Sequence, residues 1–157
     1  MSVSKLMSAT ALLIAVSFSQ LAISQGNDKQ RIYDLIADYG WYADSRDVQG
    51  YLGLFINDAV FASPKMGLSL SGRKEISDFI VPRWKKIGES GEQRRHIITG
   101  IRLTNLTERS GTYRAILNLS ANPSEGETKI MMTGYYVGTV TKIEAEWRIA
   151  RLEFYPD

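Results

Sequence analysis

Apolar residues recur three or four positions apart in the first half of the chain, which is the spacing of one helix face. The clearest case is a predicted helix over 28–43, whose apolar face comprises Ile32, Leu35, Ile36, Tyr39 and Tyr42. Two more helices and two short strands are predicted after it: helices over 47–55 and 73–87, strands over 59–62 and 66–70. Pro82 lies inside the third helix, so we expect a kink or an early end there.

The second half of the chain alternates apolar and polar residues, which is the pattern of half-buried strands. Four strands are predicted there, over 94–105, 111–121, 128–143 and 146–154. Turn-forming residues at 122–126 separate the second strand from the third. Helices followed by a strand meander indicate an α+β domain, in which the N-terminal helices pack on one face of a curved antiparallel sheet.

The first 24 residues have the three parts of a secretory signal peptide. Lys5 precedes an apolar run over 6–18, and Ala22 and Ser24 supply the small residues of a cleavage site. The run is short for a segment that crosses a hydrocarbon layer of about 30 Å, and an uncleaved anchor is the alternative. We predict a signal peptide over 1–24 and one domain over 25–157, exported to the periplasm or secreted, with no stable membrane anchor after cleavage.

Composition excludes several kinds of site. The 157 residues contain no cysteine and a single histidine, so disulfides, zinc–thiolate sites, cysteine nucleophiles and multi-histidine metal sites are excluded. The net charge is only +2, and the basic residues are scattered among acidic ones, which argues against a nucleic-acid partner. We therefore expect neither a cofactor nor a metal ion, and no nucleic-acid binding.

The single histidine, His96, is the candidate catalytic residue. Imidazole exchanges protons near neutral pH, and a carboxylate that fixes its tautomer makes it a general base. Asp47 follows the first predicted helix and is the candidate partner, with Asp44 as the second choice. A hydrogen-bonded histidine with a purely structural role is the alternative.

Other residues are candidates for lining a substrate pocket. Tyrosines combine apolar faces with hydroxyls, and methionine suits an adaptable lining. Two polar residues face the same way on the strand over 111–121 and could contact a ligand. The candidate substrate contacts are Asp44, Tyr42, Tyr51, Asn118, Ser120 and Met132. Ordinary core packing is the alternative for each tyrosine.

Four stretches of sequence carry a resemblance to a known family. They are Trp-Tyr-Ala-Asp-Ser-Arg-Asp at 41–47, Gly-Arg-Lys-Glu-Ile at 72–76, Arg-His-Ile-Ile-Thr at 95–99 and Glu-Trp-Arg-Ile-Ala at 146–150. In this order and spacing, over roughly 28–155, the chain resembles the SnoaL-like branch of the nuclear transport factor 2-like superfamily, which includes scytalone dehydratase. The resemblance implies a cone-shaped sheet, an α+β barrel, with a mostly apolar pocket on its concave face.

The resemblance also implies a site. Asp47 and His96 match the paired aspartate and histidine of the dehydratase, while Arg46 stands where its pattern has a tyrosine. The pattern's second tyrosine falls near Pro64, and its second histidine has no counterpart here. Scytalone itself is therefore not the expected substrate.

Two functions remain open at this stage. The first is a cofactor-independent lyase or isomerase of the dehydratase type, in which His96 removes a proton next to the carbonyl of a small hydrophobic compound. The alternative is a non-catalytic module that binds a small hydrophobic ligand or dimerises. The outer face of the strands over 111–121 and 128–143 carries apolar residues, so we expect a homo-oligomer, in particular a dimer.

Overall fold

Three helices and a six-stranded sheet make up the part of the chain that the structure, a computed structural model, describes: residues 27–157. The predicted signal peptide over 1–24 lies outside the described residues. Helix α1 covers 27–45, α2 covers Val48–Gly53 and α3 covers Gly72–Glu89. Residues Ile32–Asp157 form one compact unit.

The strands form one curved, open sheet with the order β2-β1-β6-β5-β4-β3. Their bounds are β1 Phe55–Ser63, β2 Leu68–Ser71, β3 Gln93–Thr104, β4 Ser110–Asn122, β5 Lys129–Ile143 and β6 Glu146–Pro156. The predicted α+β class and the antiparallel meander from β3 to β6 are confirmed. Strand β1 pairs in parallel with β6, and the sheet does not close into a complete barrel.

Alternate residues of the meander form the apolar core together with the helices. On β4, every second side chain from Tyr113 to Ala121 is buried, while those between them are exposed or half-buried. Helix α1 contributes Ile32 and Ile36, and β6 contributes Ile149, which is completely buried. Burying a large apolar side chain stabilises the fold by about 1.5–3 kcal/mol. This core fixes which face of each strand points toward α1 and α3.

Helix α3 runs through Pro82 without ending, so the expected early end is wrong. Proline leaves the carbonyl four residues earlier without its helical partner, and here that residue is Asp78. Both Pro82 and Asp78 are exposed, so water can solvate the freed carbonyl. Ile76 and Ile80 are buried on the opposite side of the helix and hold it against the core.

Among the described residues, no helix is long and apolar enough to span a membrane.

Candidate active site

His96 and Asp44 form a hydrogen-bonded pair where helix α1 meets strand β3. Nδ1 of His96 lies 2.7 Å from Oδ1 of Asp44, and the two side chains are 15% and 12% exposed. The backbone N–H of His96 donates to both carboxylate oxygens of Asp44 at 3.1 Å. Because a carboxylate only accepts hydrogen bonds, Nδ1 is the donor, and in the neutral imidazole Nε2 is then the nitrogen that can accept a proton. The pair thus has the hydrogen-bonding pattern of a general base.

A glycine allows α1 to approach β3 closely enough for this contact. Gly40 lies one helical turn before Asp44, and a Cβ atom at this glycine would lie 3.3 Å from the carbonyl oxygen of His96. The amide Nε2 of Gln93 also donates to the carbonyl of Asp44 at 3.0 Å, which fastens the end of α1 to the start of β3. The carboxylate of Asp44 is therefore held in place by its own backbone as well as by His96.

The predicted pairing of Asp47 with His96 is wrong, because α1 ends before it reaches Asp47. Arg46 adopts the left-handed backbone conformation, with φ of 59°, and turns the chain away. The N–H of Asp47 donates to the carbonyl of Tyr42 and that of Arg46 to the carbonyl of Ala43, the two bonds of a Schellman helix end. Asp47 itself is exposed, and its Oδ1 accepts a 2.9 Å hydrogen bond from the N–H of Gly50 as the N-cap of α2.

His96 forms part of the wall of a cavity between the sheet and α3. The cavity has a volume of about 170 Å³. An apolar cavity of about 150 Å³ is large enough to hold a benzene ring. Its apolar and aromatic lining consists of Tyr39, Ala43, Tyr51, Phe61, Phe79, Ile80, Trp84, Ile87 and Leu119. The pocket thus suits a single ring placed beside an imidazole.

A cluster of buried tyrosines lies next to the His96–Asp44 pair. The rings of Tyr39 and His96 meet edge to face, with centroids 6.0 Å apart. Burial raises the pKa of Tyr39, while its hydrogen bonds with Tyr51 and Tyr136 act in the opposite direction. Burial also raises the pKa values of Tyr51 and Tyr136, which are further raised by their proximity to Tyr39. All three hydroxyls are therefore protonated donors in the folded protein at neutral pH.

Three arginines complete the lining of the cavity: Arg46, Arg83 and Arg94, which we call the arginine cluster. They come from the end of α1, from α3 and from β3. Sequence reasoning did not single out Arg83 or Arg94, because their meeting depends on the packing of α3 across the sheet. The signal that was available is helical and strand periodicity, since Arg83 follows Phe79 by one turn and Arg94 shares its strand face with His96.

A family model for the SnoaL-like domain matches residues 25–153. The chain belongs to the SnoaL-like domain family. No curated protein gives a significant match.

Solved structures share the fold of this SnoaL-like domain at low sequence identity. A protein of unknown function from Mycobacterium tuberculosis is 23% identical, with a TM-score of 0.74 over 87% of this chain and 75% of the other. A candidate scytalone dehydratase from Novosphingobium aromaticivorans is 19% identical, with a TM-score of 0.75 over 87% and 88%. An NTF2-like protein with a cystatin-like fold, also from Novosphingobium aromaticivorans, is 22% identical, with a TM-score of 0.73 over 99% and 90%. These similarities confirm the predicted nuclear transport factor 2-like fold.

Of the other residues predicted to contact a substrate, some line the cavity of the SnoaL-like domain and others lie elsewhere in the fold. Tyr51 lines the cavity, as the substrate-contact prediction requires. Tyr42 packs against Gly50 in α2, since a Cβ atom at this glycine would lie 2.6 Å from the Tyr42 ring. Met132 packs against the core from β5 and is not among the residues that line the cavity.

Asn118 and Ser120 lie on the face of β4 opposite to its buried leucines and are not among the residues that line the inner cavity, so their contact with a substrate stays a prediction. Strand β4 buries Leu117 and Leu119 on the concave side, and strict alternation turns the residues between them outward. Ser120 instead lines an open groove that both Asp44 and His96 also line. The alternation was evident in the sequence, and the leucines were the signal for the buried face.

No group of three or more histidine, cysteine, aspartate or glutamate side chains that could hold a metal ion occurs among residues 27–157. The polar groups in and beside the cavity are an imidazole, a carboxylate, three tyrosine hydroxyls and three guanidinium groups.

Proposed function

We propose that this SnoaL-like protein is an exported, cofactor-independent lyase or isomerase that acts on a small, ring-sized carbonyl compound. The observation that carries the proposal is the 2.7 Å hydrogen bond between Asp44 and His96 at the wall of an apolar cavity. The exported location rests on the predicted signal peptide over 1–24 alone. In this proposal Asp44 takes the role first expected of Asp47.

The proposed reaction begins with proton transfer to His96. Nε2 removes a proton from the carbon next to the substrate carbonyl, and Asp44 stabilises the imidazolium that forms. The electron pair of the broken C–H bond moves to the carbonyl oxygen as an enolate. Return of the proton from Nε2 to another carbon shifts a double bond, and its delivery to a leaving hydroxyl eliminates water. Both outcomes balance without an oxidant or a metal ion.

Tyr39 is the proposed donor to the enolate oxygen. Its side chain lines the cavity and is hydrogen-bonded to Tyr51 and Tyr136. In the proposal its oxygen accepts from those two hydroxyls, and its own hydrogen is donated to the ligand. Donors in a chain polarise one another, and a donor aimed at developing charge lowers the barrier. Tyr39 and His96 would thus act on the oxygen and on the neighbouring carbon of the same carbonyl group.

Hydrogen–deuterium exchange tests the proton-transfer step without knowledge of the natural product. A panel of small aryl ketones and cyclic 1,3-diketones is incubated with the protein in deuterated water, and loss of the signal from protons next to the carbonyl is followed by NMR. We expect exchange with the wild-type protein and a rate about 10²–10⁴-fold lower with His96→Gln. Asp44→Asn should lose at least about 10²-fold, because its amide can donate to Nδ1 and place the proton on the wrong nitrogen.

Asp47→Asn is the matched control, since it makes the same chemical change three residues away. Asparagine is as good an N-cap as aspartate, so both stability and exchange rate should be retained. Equal exchange by wild type and His96→Gln, or no exchange with any compound that binds, would refute the proposed chemistry.

A non-catalytic role is the second candidate, favoured by the apolar side chains on the outer sheet face. Ile97, Ile116 and Tyr135 are each between 44% and 51% exposed there. A second copy of the chain, paired through this face, would bury them. Dimerisation is compatible with catalysis, so it becomes the leading function only if the exchange experiment fails.

A further inference from the structure

The arginine cluster gives the cavity a cationic entrance. Arg83 and Arg94 line both the inner cavity and an outer vestibule of about 430 Å³, which also includes Lys86 and Glu92. Together with Arg46, the entrance carries four cationic side chains and one carboxylate. The inner wall is mostly apolar and aromatic, so charge is concentrated where the pocket opens. An amphiphilic ligand with an apolar end and an anionic end fits this division.

Protein contacts hold each guanidinium of the cluster while using only part of its donor set. Arg83 lies 3.5 Å above the ring of Phe79, and its Nη1 donates to the Phe79 carbonyl at 2.7 Å. Nε of Arg94 donates to the carboxylate of Glu92 at 2.7 Å. Nη1 of Arg46 lies 3.5 Å from the carbonyl oxygen of Glu92. A guanidinium has five N–H donors in a planar fork, so donors remain in each case for a planar anion.

The backbone at Arg46 is a second, independent observation. The left-handed conformation at a helix end is usually taken by glycine, because any side chain there is strained. Non-glycine residues in such a conformation concentrate at functional sites. At this position the bend directs a guanidinium toward the end of α3, where Nε of Arg46 would lie 3.6 Å from a Cβ atom at Gly88.

From these observations we infer that the arginine cluster binds the carboxylate of an acidic substrate whose apolar ring occupies the cavity. The inference rests on the proposed function for the reaction, and it adds the class of substrate: a small ring-containing carboxylic acid. Guanidinium groups match carboxylates through paired N–H···O bonds, which a neutral amide or ester does not accept equally well. The charged contact would orient the ring relative to Nε2 of His96.

Calorimetric binding of matched ligand pairs tests the inference. Phenylacetate, 3-phenylpropanoate and 4-phenylbutanoate are each compared with their primary amides, which have the same shape and no charge. We expect at least one acid to bind about 10-fold to 100-fold more tightly than its amide. Raising sodium chloride to about 0.5 M should weaken binding of the acid and leave that of the amide unchanged.

Variants locate the preference. Arg46→Gln, Arg83→Gln and Arg94→Gln should each reduce the ratio of acid to amide affinity by at least about 5-fold. Arg102→Gln is the matched control, because Arg102 lies on the same strand as Arg94, is exposed, and is not among the residues that line either cavity. It removes the same charge and should leave the ratio unchanged. Circular dichroism checks that each variant is folded. A single folded variant of the arginine cluster is enough for the test.

The binding experiment can fail or succeed independently of the exchange experiment, because binding is measured without turnover and is measured again in the His96→Gln variant. A retained acid preference with no exchange would leave the carboxylate site and remove the chemistry. Equal affinity for acid and amide would refute the carboxylate site, as would no binding of any ligand up to about 10 mM or an equal loss in Arg102→Gln.

Discussion

The left-handed backbone at Arg46 predicts an unusual order of stability for two truncations of that residue. Arg46→Ala and Arg46→Gly both remove the guanidinium and its contacts, so the difference between them isolates the backbone. At φ of 59° the Cβ of alanine crowds the following carbonyl oxygen at a cost of about 1–2 kcal/mol, which glycine avoids. Glycine loses more conformational entropy on folding, about 0.5–1 kcal/mol. The glycine variant should therefore be the more stable by about 0.5–1 kcal/mol.

Urea unfolding followed by circular dichroism measures this difference. The midpoint concentration multiplied by the slope m gives the free energy of unfolding, and m should be the same for both variants. The same pair of substitutions at Asp38, an exposed position inside α1, is the control. There alanine should be more stable than glycine by about 1 kcal/mol, because the backbone is helical. The two positions are expected to give opposite signs.

An alanine variant at Arg46 that equals or exceeds the glycine variant in stability would refute this reasoning. The helix end would then not be strained, and the conformation of Arg46 would no longer support a functional reason for arginine there. If the order is as expected, Arg46→Gly should be stable and yet lose the acid preference of the cavity. At position 46, stability would then favour glycine, whereas binding of the acid would require arginine.

Three further predictions concern the core, the tyrosines and the outer face. Gly138→Ala should lose about 3 kcal/mol of stability in urea unfolding, because its Cβ would lie 2.3 Å from the buried Tyr113 ring; Gly53→Ala, which meets nothing within 4 Å, should lose none. Burial raises the pKa of four tyrosines, so their contribution to stability is complete below the unfolded pKa of about 10 and is lost as pH rises through the folded values. Near-ultraviolet absorbance should show that these four hydroxyls ionise only as the protein unfolds at alkaline pH: those of Tyr39, Tyr51, Tyr113 and Tyr136. Titration of all eight tyrosines of the chain in the folded protein would contradict this prediction. Light scattering should find a dimer that Ile116→Glu converts to a monomer, and an unchanged mass would exclude the outer face as the interface.

Periodicity was enough to predict the α+β class, because each element buries one face against the same core and the burial imposes a regular apolar spacing; the cone-shaped sheet was predicted from the family resemblance. The helix over 28–43 and the four strands of the meander follow directly from apolar spacing, and their ends lie within two residues of the predicted bounds. Pro82 does not end α3, although an early end was one of two expected effects, because a propensity acts locally while Ile76 and Ile80 hold the helix from the other side. Local signals failed where tertiary packing outweighed them.

The site was predicted less well, because it depends on where one helix ends. The sequence offered two carboxylates, Asp44 and Asp47, and the choice between them required the conformation of Arg46. A glycine or asparagine there would have indicated a left-handed end, whereas arginine does not. Gly40 was the overlooked clue: a glycine inside a strongly apolar helix indicates close approach to another backbone, and the residue one turn later is Asp44.

The same helix end sets both halves of the proposed site. Asp44 belongs to the last turn of α1 and faces β3, while Arg46, two residues later, turns toward α3 and the entrance of the cavity. A helix C-terminus carries partial negative charge, which favours a cation just beyond it. A change in the length of α1 by one residue would move the carboxylate off His96 and the guanidinium away from the entrance together. Base and carboxylate site are therefore expected to be lost jointly by insertions in 41–45, and separately by the single substitutions proposed above.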